Sequence, residues 1–501
     1  MIFHKEKRFS ESNLASTLYY GTIAFLSLAV FIGYIVIASR SFFFQDDFLF
    51  LLPVIFKQLF VMPKADEVHF FRPVAKELFY LINYHIFGME SFYYFLTNVV
   101  AHTLSAICLF FILVKLRLSN KLSALIAFLF FANIAAFEKM SWIAYFQHTS
   151  YQVFLLMSAL LAILSTEKDG VRRTVLLSFS VICWILSLLS HIAGLFYPII
   201  LVMILFIKLR QDGDERRGDI IPALAKTTFA HWIVFLLYIA FIVFPNWKRT
   251  AVTDPYYVDL SVTTFIDNLS YYFHDALFTN FHAVVLLFIG ILYLAFFLPP
   301  FIKKFFLNKW SLINFLIIAI IFGFLYAPFA FLKYQRYVDY VSLALIPWYI
   351  VILYPLFSDA PFQRVSPYLG KLLIVLSILV LTLSFLPRKY DLVGYFKYCP
   401  RLHIKSIWDQ MQLLVPNIPE GTRRIVFIDQ EEFLPISKDV ASWSIPPFWW
   451  HVGQGTMFTI IYGRLDVKLE VATEKPVNRE PNTIYLLVNK GPIYYSLSLL
   501  K

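Results

Sequence analysis

Long apolar runs are the feature of this sequence that most constrains its fold. Residues 18–38 and 92–114 are two of several such runs, each with roughly the 17–25 apolar residues that let a helix cross a bilayer. The chain of 501 residues is 59% hydrophobic and only 15% charged, whereas soluble globular domains have about 25% charged residues. The pattern predicts a polytopic α-helical membrane protein.

The apolar runs predict about eleven transmembrane helices within residues 1–386. Lys5, Lys7 and Arg8 precede the first run, which places the N-terminus in the cytoplasm by the positive-inside rule. That run is longer than the roughly 7–15 apolar residues of a signal peptide, so we interpret it as a retained span. An odd number of spans puts the C-terminus outside. The net charge of +11 then reflects orientation signals between spans, with no nucleic-acid partner.

The first outer loop, residues 41–90, carries two adjacent carboxylates, Asp46 and Asp47. Ionised groups beside a bilayer are costly unless they are paired, hydrated or used, so they indicate a functional site. The alternative is that they are ordinary solvated acids of a loop. Further along the loop, Pro73 and Gly88 suit the beginning and end of a short helix lying in the membrane interface.

Asn98 and His102 are four residues apart on the second predicted span, so they share one helix face. For this pair we favour hydrogen bonding between helices over a role in a site.

The composition changes after residue 386, and we assign residues 387–501 to a small extracytoplasmic domain, either α/β or mostly β. A helix is expected over residues 404–414 because apolar residues recur there at helical spacing. Short β-like runs are expected at residues 424–429, 457–462, 465–471, 484–488 and 493–499.

Several short motifs, taken in order and with their predicted side of the membrane, resemble those of the GT-C superfamily of membrane glycosyltransferases. The resemblance is to the protein O-mannosyltransferase branch and its bacterial relatives. The residues that carry it are Asp46, Asp47, Phe71, Arg72, Pro73, Val74, Asn83, Gly88, Asn98, His102, Glu138, Trp142, Arg336 and Tyr337.

The resemblance implies an enzyme that takes a sugar from a polyprenyl-phosphate donor and transfers it on the outer face. Asp46 would be the catalytic base, and Asp47 would orient the acceptor or share a divalent metal ion with Asp46. The cations expected at the donor phosphate are Arg336, Arg72 and Lys333. The residues expected to line the cavity are Glu138, His191 and His102. His191 stands where many relatives have an acid, so its role is not carried over.

The expected partners are the lipid-linked donor, a glycan, lipid or protein acceptor, and membrane lipids. The brief loops favour a bacterial inner membrane. Two other classes share part of the pattern: a lipid-linked saccharide flippase or transporter, and a polysaccharide polymerase or ligase. A transporter would place its polar residues at mid-membrane on broken helices, whereas the notable charges here lie at the outer ends of spans. A purely structural membrane subunit is a further alternative.

Overall fold

We describe the fold from a computed structural model of the chain. The residues it describes are 13–57, 72–133, 136, 139–140, 142–212, 217–244, 257–277, 309–333, 340, 342–357, 400–429, 452–472, 474–490 and 495–500.

The membrane part is mostly helical in the described residues, with one isolated antiparallel bridge between Val258 and Leu332. In chain order its helices are α1 (Asn13–Arg40), α2 (Asp46–Ile55), α3 (Phe79–Phe87), α4 (Ser91–Lys115), α5 (Asn120–Ala132), α6 (Phe146–Ser165), α7 (Gly170–Leu188), α8 (Tyr197–Gln211), α9 (Arg217–Tyr238), α10 (Val262–Leu277), α11 (Lys309–Ala330) and α12 (Leu345–Phe357). Single turns of 3-10 helix cover Ile143–Tyr145 and Ile192–Gly194, and π-helical turns cover Pro73–Leu78 and Ile239–Val243.

Six helices among the described residues are long and apolar enough to cross a membrane: Tyr19–Arg40, Ser91–Lys115, Ile143–Ser165, Gly170–Leu188, Ile220–Val243 and Ile313–Ala330. The predicted membrane class is confirmed at this level, while the count of eleven stays a prediction. The third and sixth predicted spans correspond to α5 and α8, which have 13 and 15 residues. The predicted eighth and eleventh spans lie outside the described residues.

The centre of the bundle is the packing of α6 against α4 and α7. Ala159 and Ala162 are buried at this centre, and such small residues allow helix backbones to approach closely in a membrane protein. The hydroxyl oxygens of Ser158 and Ser180 lie 3.0 Å apart, and Ser180 also donates to the Ser158 carbonyl at 2.8 Å. Two neighbouring helices are thus joined by a polar contact in an apolar interior.

Ion pairs close one end of the bundle, where α4, α6 and α8 end. Lys208 Nζ lies 3.1 Å from Glu167 Oε1 and 2.9 Å from Asp212 Oδ2. Lys115 pairs with Glu167 at 2.7 Å, and Arg117 pairs with Asp212 at 2.9 Å. This basic end is the one that the sequence assigns to the cytoplasm. Charges of both signs alternate here, so each acid contacts two cations.

The opposite end contains the described parts of the first outer loop, residues 41–57 and 72–90, which include a helix that was not expected from the sequence. Pro73 begins the helical segment that continues into α3, and Gly88 (φ 58°) ends it, as predicted. Helix α2 was not predicted; it begins at Asp46 and contains Pro53. Its buried residues Phe48, Leu51 and Val54 give it one apolar face.

The C-terminal domain is α/β. Helix α13 (Pro400–Leu414) precedes a four-stranded sheet with strand order β2-β1-β3-β4. The strands are β1 (Arg424–Asp429), β2 (Lys468–Ala472), β3 (Thr483–Lys490) and β4 (Tyr495–Leu499). Strand β1 is parallel to β2 and β3, with Ile425 opposite Leu469 and Ile484, while β3 and β4 are antiparallel.

The prediction of a strand at residues 457–462 is wrong, because this segment is helix α14 (Thr456–Tyr462). Its β-branched and aromatic residues suggested a strand, but left-handed glycines stand at both ends, Gly455 (φ 87°) and Gly463 (φ 62°). A glycine just after the last residue is a common helix terminator. The inward side chains Met457 and Phe458 are fully buried, so tertiary packing selects the helix.

The described part of the C-terminal domain shares a hydrophobic core with the first outer loop. Ile407, Met411 and Phe427 from the domain pack in one cluster with Phe43 and Phe48 of the loop. The domain therefore packs directly against the segment that carries Asp46 and Asp47.

Candidate active site

The two acids lie in the first turn of α2, where the backbone bends sharply. The Asp47 N–H donates to the Phe44 carbonyl at 3.0 Å, and the Phe44 N–H donates back to Asp47 Oδ2 at 2.9 Å. Gln45, between them, has φ 49° and ψ −113°, a region that non-glycine residues rarely adopt. This turn separates the side chains of the two neighbouring acids.

Asp47 is fully buried and acts as an internal anchor. Its Oδ1 accepts a hydrogen bond from the Tyr80 hydroxyl at 2.7 Å, which ties α2 to α3. Burial raises the pKa of Asp47 to about 8, although the hydrogen bonds from Tyr80 and Phe44 oppose that shift. Both carboxyl oxygens of Asp47 therefore accept hydrogen bonds from within the protein.

Asp46 is half-buried and lies near two cations of the helical segment that follows. Burial raises the pKa of Asp46, while the positive charges of Lys76 and Arg72 act in the opposite direction. A carboxylate with a raised pKa is a better proton acceptor than an ordinary aspartate. Of the two predicted catalytic acids, Asp46 is the one placed beside positive charge.

Arg72 immediately precedes the π-helical turn, and its guanidinium donates a hydrogen bond to Gln147 Oε1. Lys76 lies with its ammonium 4.8 Å from the centre of the Phe50 ring, on α2. Sequence analysis missed Lys76, Tyr80 and Gln147. The sequence does contain a signal for Lys76 and Tyr80. Together with Arg72 they recur at intervals of four residues, which is the spacing of residues on one helix face.

Two histidines stand beside Arg72. The rings of His148 and His191 are 4.5 Å apart, and both are buried. His191 Nδ1 accepts the Ala193 N–H at 3.1 Å, so a neutral His191 carries its proton on Nε2 and can donate it. Burial lowers the pKa of His191, and the nearby Arg72 charge lowers it further. His191 is therefore a neutral hydrogen-bond donor at this site; His148 was not predicted.

The turn that holds His191 is itself firmly held. Trp184 Nε1 donates to the Gly194 carbonyl at 3.1 Å. A Cβ on Gly194 would lie 2.9 Å from Ser187 Oγ, so a larger residue would have to move this hydroxyl from its hydrogen bond to the Tyr151 carbonyl. Tyr340 lies 5.0 Å from His148 by ring centres, and Phe329 lies 4.7 Å from Tyr340. The result is a wall of imidazole and aromatic rings next to Arg72.

Lys333 lies one turn beyond Phe329, in contact with the segment that leads into α10. Its N–H donates to the Tyr257 carbonyl at 3.1 Å. A hydrogen bond from Thr264 lowers the pKa of Asp259, and the charge of Lys333 contributes to that shift. Phe329 is 6.3 Å from His191 by ring centres, so Lys333 lies on a segment that reaches the histidine wall. Two other predicted site residues, Arg336 and Glu138, lie outside the described residues.

His102 is fully buried among aromatic rings of the bundle interior. Its Nε2 lies 3.1 Å from the Phe131 carbonyl, and its ring stacks on that of Phe131 at 5.5 Å. Asn98 donates to the Lys139 carbonyl at 2.7 Å. These are the contacts between helices that the sequence favoured for this pair. His102 thus has packing neighbours in this structure rather than the acids and cations of the outer loop.

A divalent metal shared by Asp46 and Asp47 does not fit the geometry. Asp47 is fully buried, and its two oxygens accept hydrogen bonds from Tyr80 and Phe44, so its carboxyl group is turned into the protein interior. Among the described residues there is no group of three or more His, Cys, Asp or Glu that could hold a metal ion. We therefore derive no step through a metal.

No protein-family model matches the chain, and no curated protein sequence matches it. Among solved structures, it is similar to the crystal structure of the Archaeoglobus fulgidus oligosaccharyltransferase in the apo form, at 12% identity and a TM-score of 0.40. The match covers 80% of this chain and 62% of that one, so this chain spans less than two thirds of the other's length. That TM-score is too low to establish a shared fold.

Proposed function

We propose that this chain is a membrane glycosyltransferase that takes a sugar from a polyprenyl-phosphate donor and transfers it to an acceptor hydroxyl, with Asp46 as the base. The observation that carries the proposal is the half-buried Asp46 placed near Arg72 and Lys76. A proton acceptor with a raised pKa is thereby combined with cations suited to a phosphate, at one end of a helical membrane bundle.

The proposed step is a single displacement at the anomeric carbon. The acceptor oxygen forms a bond to that carbon as the bond from carbon to the phosphate oxygen breaks. The acceptor proton passes to the Asp46 carboxylate, and the electron pair of the broken bond leaves with the lipid phosphate. Because phosphate is a good leaving group, one carboxylate suffices and a second acting as acid is not required.

Arg72 and Lys76 would stabilise the negative charge that grows on the departing phosphate. His191 would add a neutral N–H donor from the other side of Arg72. Lys333 and Arg336 are further phosphate ligands in this proposal, and Glu138 a cavity residue, on the strength of the sequence resemblance. Asp47 serves as a positioning residue that fixes α2 against Tyr80.

The proposal keeps the predicted setting: a bacterial inner membrane, the N-terminus in the cytoplasm and the acidic site outside. The partners are the lipid-linked donor, membrane lipids, and a glycan, lipid or protein acceptor. A flippase would move the donor without breaking the bond from sugar to phosphate, so release of free lipid phosphate distinguishes the two functions.

The test is sugar transfer by membranes containing Asp46→Asn, with radiolabelled undecaprenyl-phosphate mannose, glucose, galactose and arabinose as probes. We expect wild-type membranes to move label out of the lipid fraction with one of these donors. Asp46→Asn should reduce that rate by about 100-fold or more, the usual contribution of a positioned base. The control is Asp409→Asn, which removes an exposed acid of α13 and should leave the rate unchanged. Full activity of Asp46→Asn would exclude Asp46 as the base.

A further inference from the structure

The C-terminal domain contacts α2 at the residues next to Asp46. Trp408 of α13 stacks on Phe48, with ring centres 6.5 Å apart and planes 14° from parallel. It also meets Phe42 edge to face at 5.7 Å. Val452 and Phe458 are buried in the same cluster. Because Phe48 lies two residues after Asp46, the position of the acid depends on this contact.

The closest approach is made by Gly453, in the turn that precedes α14. Its φ is +62°, and a Cβ built on it would lie 2.8 Å from the Gln45 carbonyl oxygen and 3.0 Å from Phe48 Cβ. The first of these is a backbone atom that cannot rotate away. Only glycine allows the two segments to approach this closely.

The backbone of Gln45 has a conformation that needs support from its surroundings. Its φ of 49° with ψ −113° is a strained conformation for a non-glycine residue, at a cost of about 1–3 kcal/mol. Its carbonyl accepts the Phe48 N–H at 3.2 Å. This conformation is what directs Asp47 towards Tyr80 and leaves Asp46 near Lys76 and Arg72.

We propose that the turn at residues 452–455 of the C-terminal domain is a positioning element for the catalytic base. Gly453 and Trp408 hold Gln45 and Phe48 so that the Asp46 carboxylate stays directed at the cations. The inference rests on the proposed function for its catalytic consequence, but the contact itself can be tested separately. Gly453 and Trp408 are positioning residues and take no part in proton transfer.

The chain contains a matched control for Gly453→Ala. Gly463 has the same φ of +62°, yet a Cβ there would have no atom within 4 Å. Alanine therefore introduces the same backbone strain at both positions, but only at residue 453 does it also press on Gln45. A difference in hydrogen–deuterium exchange or in kcat between the two variants therefore measures the effect of the contact with α2.

Two measurements are made on the full-length protein in lipid nanodiscs. Hydrogen–deuterium exchange should rise in a peptide covering residues 42–56 for Gly453→Ala and stay at the wild-type level for Gly463→Ala. With the labelled undecaprenyl-phosphate sugar that the wild type uses, Gly453→Ala should lower kcat by about tenfold to 100-fold with little change in KM. Exchange in residues 424–429 should be unchanged in both variants, as a check that the sheet is folded.

If Gly453→Ala does not fold, Trp408→Leu replaces it, with Leu413→Ala on the same helix as control because Leu413 is 81% exposed. Equal exchange and equal kcat for the 453 and 463 variants, or for the 408 and 413 variants, would overturn the inference. Asp46→Asn is measured alongside. If it is fully active, the proposed function fails, and the exchange data still decide whether the C-terminal domain orders α2.

Discussion

The two ends of α6 show opposite ways of placing charge in one helix bundle. At its first residues stand Gln147 and His148, which connect to Arg72 and, through it, to Asp46. Two residues past its last stands Glu167, in the network with Lys208. The helix has 20 residues, so about 30 Å separate the two groups.

At the basic end, opposite charges neutralise one another. Desolvation disfavours the charged form of Glu167, but hydrogen bonds from Lys115 and Lys208 outweigh it and lower the pKa. At the acidic end, burial raises the pKa of both Asp46 and Asp47 despite nearby donors and cations. The first arrangement keeps Glu167 ionised and joins the ends of three helices, whereas the second keeps an acid able to exchange a proton.

The largest contrast is expected between two arginines, one at each end. Arg72→Gln removes a cation from the site and should reduce sugar transfer by about tenfold to 100-fold, the value of a hydrogen bond to a charged group. Because Arg72 lowers the pKa of Asp46, its loss should also move the acid limb of the rate profile to higher pH. Rates from pH 5 to 9 provide the measurement.

The matched change at the basic end is Arg117→Gln, which breaks the partly exposed pair with Asp212. We expect its rate and its acid limb to equal those of the wild type. A similar shift of the acid limb in both variants would contradict a functional difference between the two ends of the bundle.

An intermediate effect, on stability, is expected for Lys208→Met. This change removes a nearly buried cation between Glu167 and Asp212. Two acids are then left close together, and we expect a loss of about 2 kcal/mol in unfolding free energy, below the value for a fully buried pair because both acids are partly exposed. Thermal unfolding in detergent measures it, and activity per folded molecule should be unchanged. Lys405→Met, in an exposed pair with Asp409, should cost only about 0.5 kcal/mol.

The smallest change in stability at neutral pH is expected for Asp47→Asn. A carboxyl group with a pKa of about 8 is mostly protonated at that pH and resembles the amide. The folded protein holds this proton at pH values where the unfolded chain, with a pKa near 3.8, has released it. The stabilisation from Asp47 is therefore complete below pH 3.8 and is lost as pH rises towards 8. Unfolding midpoints from pH 4 to 8 should fall less steeply in the variant; equal slopes would contradict the burial of this acid.

Much of the membrane part was accessible from the sequence, because its signals are local. The hydrophobic period and the turn residues correctly predicted the first two spans and strands β1 and β3. They also predicted that the outer helix begins at Pro73 and ends at Gly88. Helix α2 was missed because it has only ten residues and contains Pro53. The segment at 457–462 was assigned to a strand because its residues have high β-propensity. In so short a run packing overrides propensity, and the segment is a helix.

Run length and charge placement along the chain are enough to predict a membrane protein with a pair of acids after its first span. The difference between the two acids arises from contacts made on folding, which join Asp47 to Tyr80 and leave Asp46 near Arg72 and Lys76. Folding also brings Gly453 against Gln45, more than 400 residues away in the chain. Local pattern cannot encode such contacts, because they depend on the joint packing of segments that do not neighbour one another in sequence.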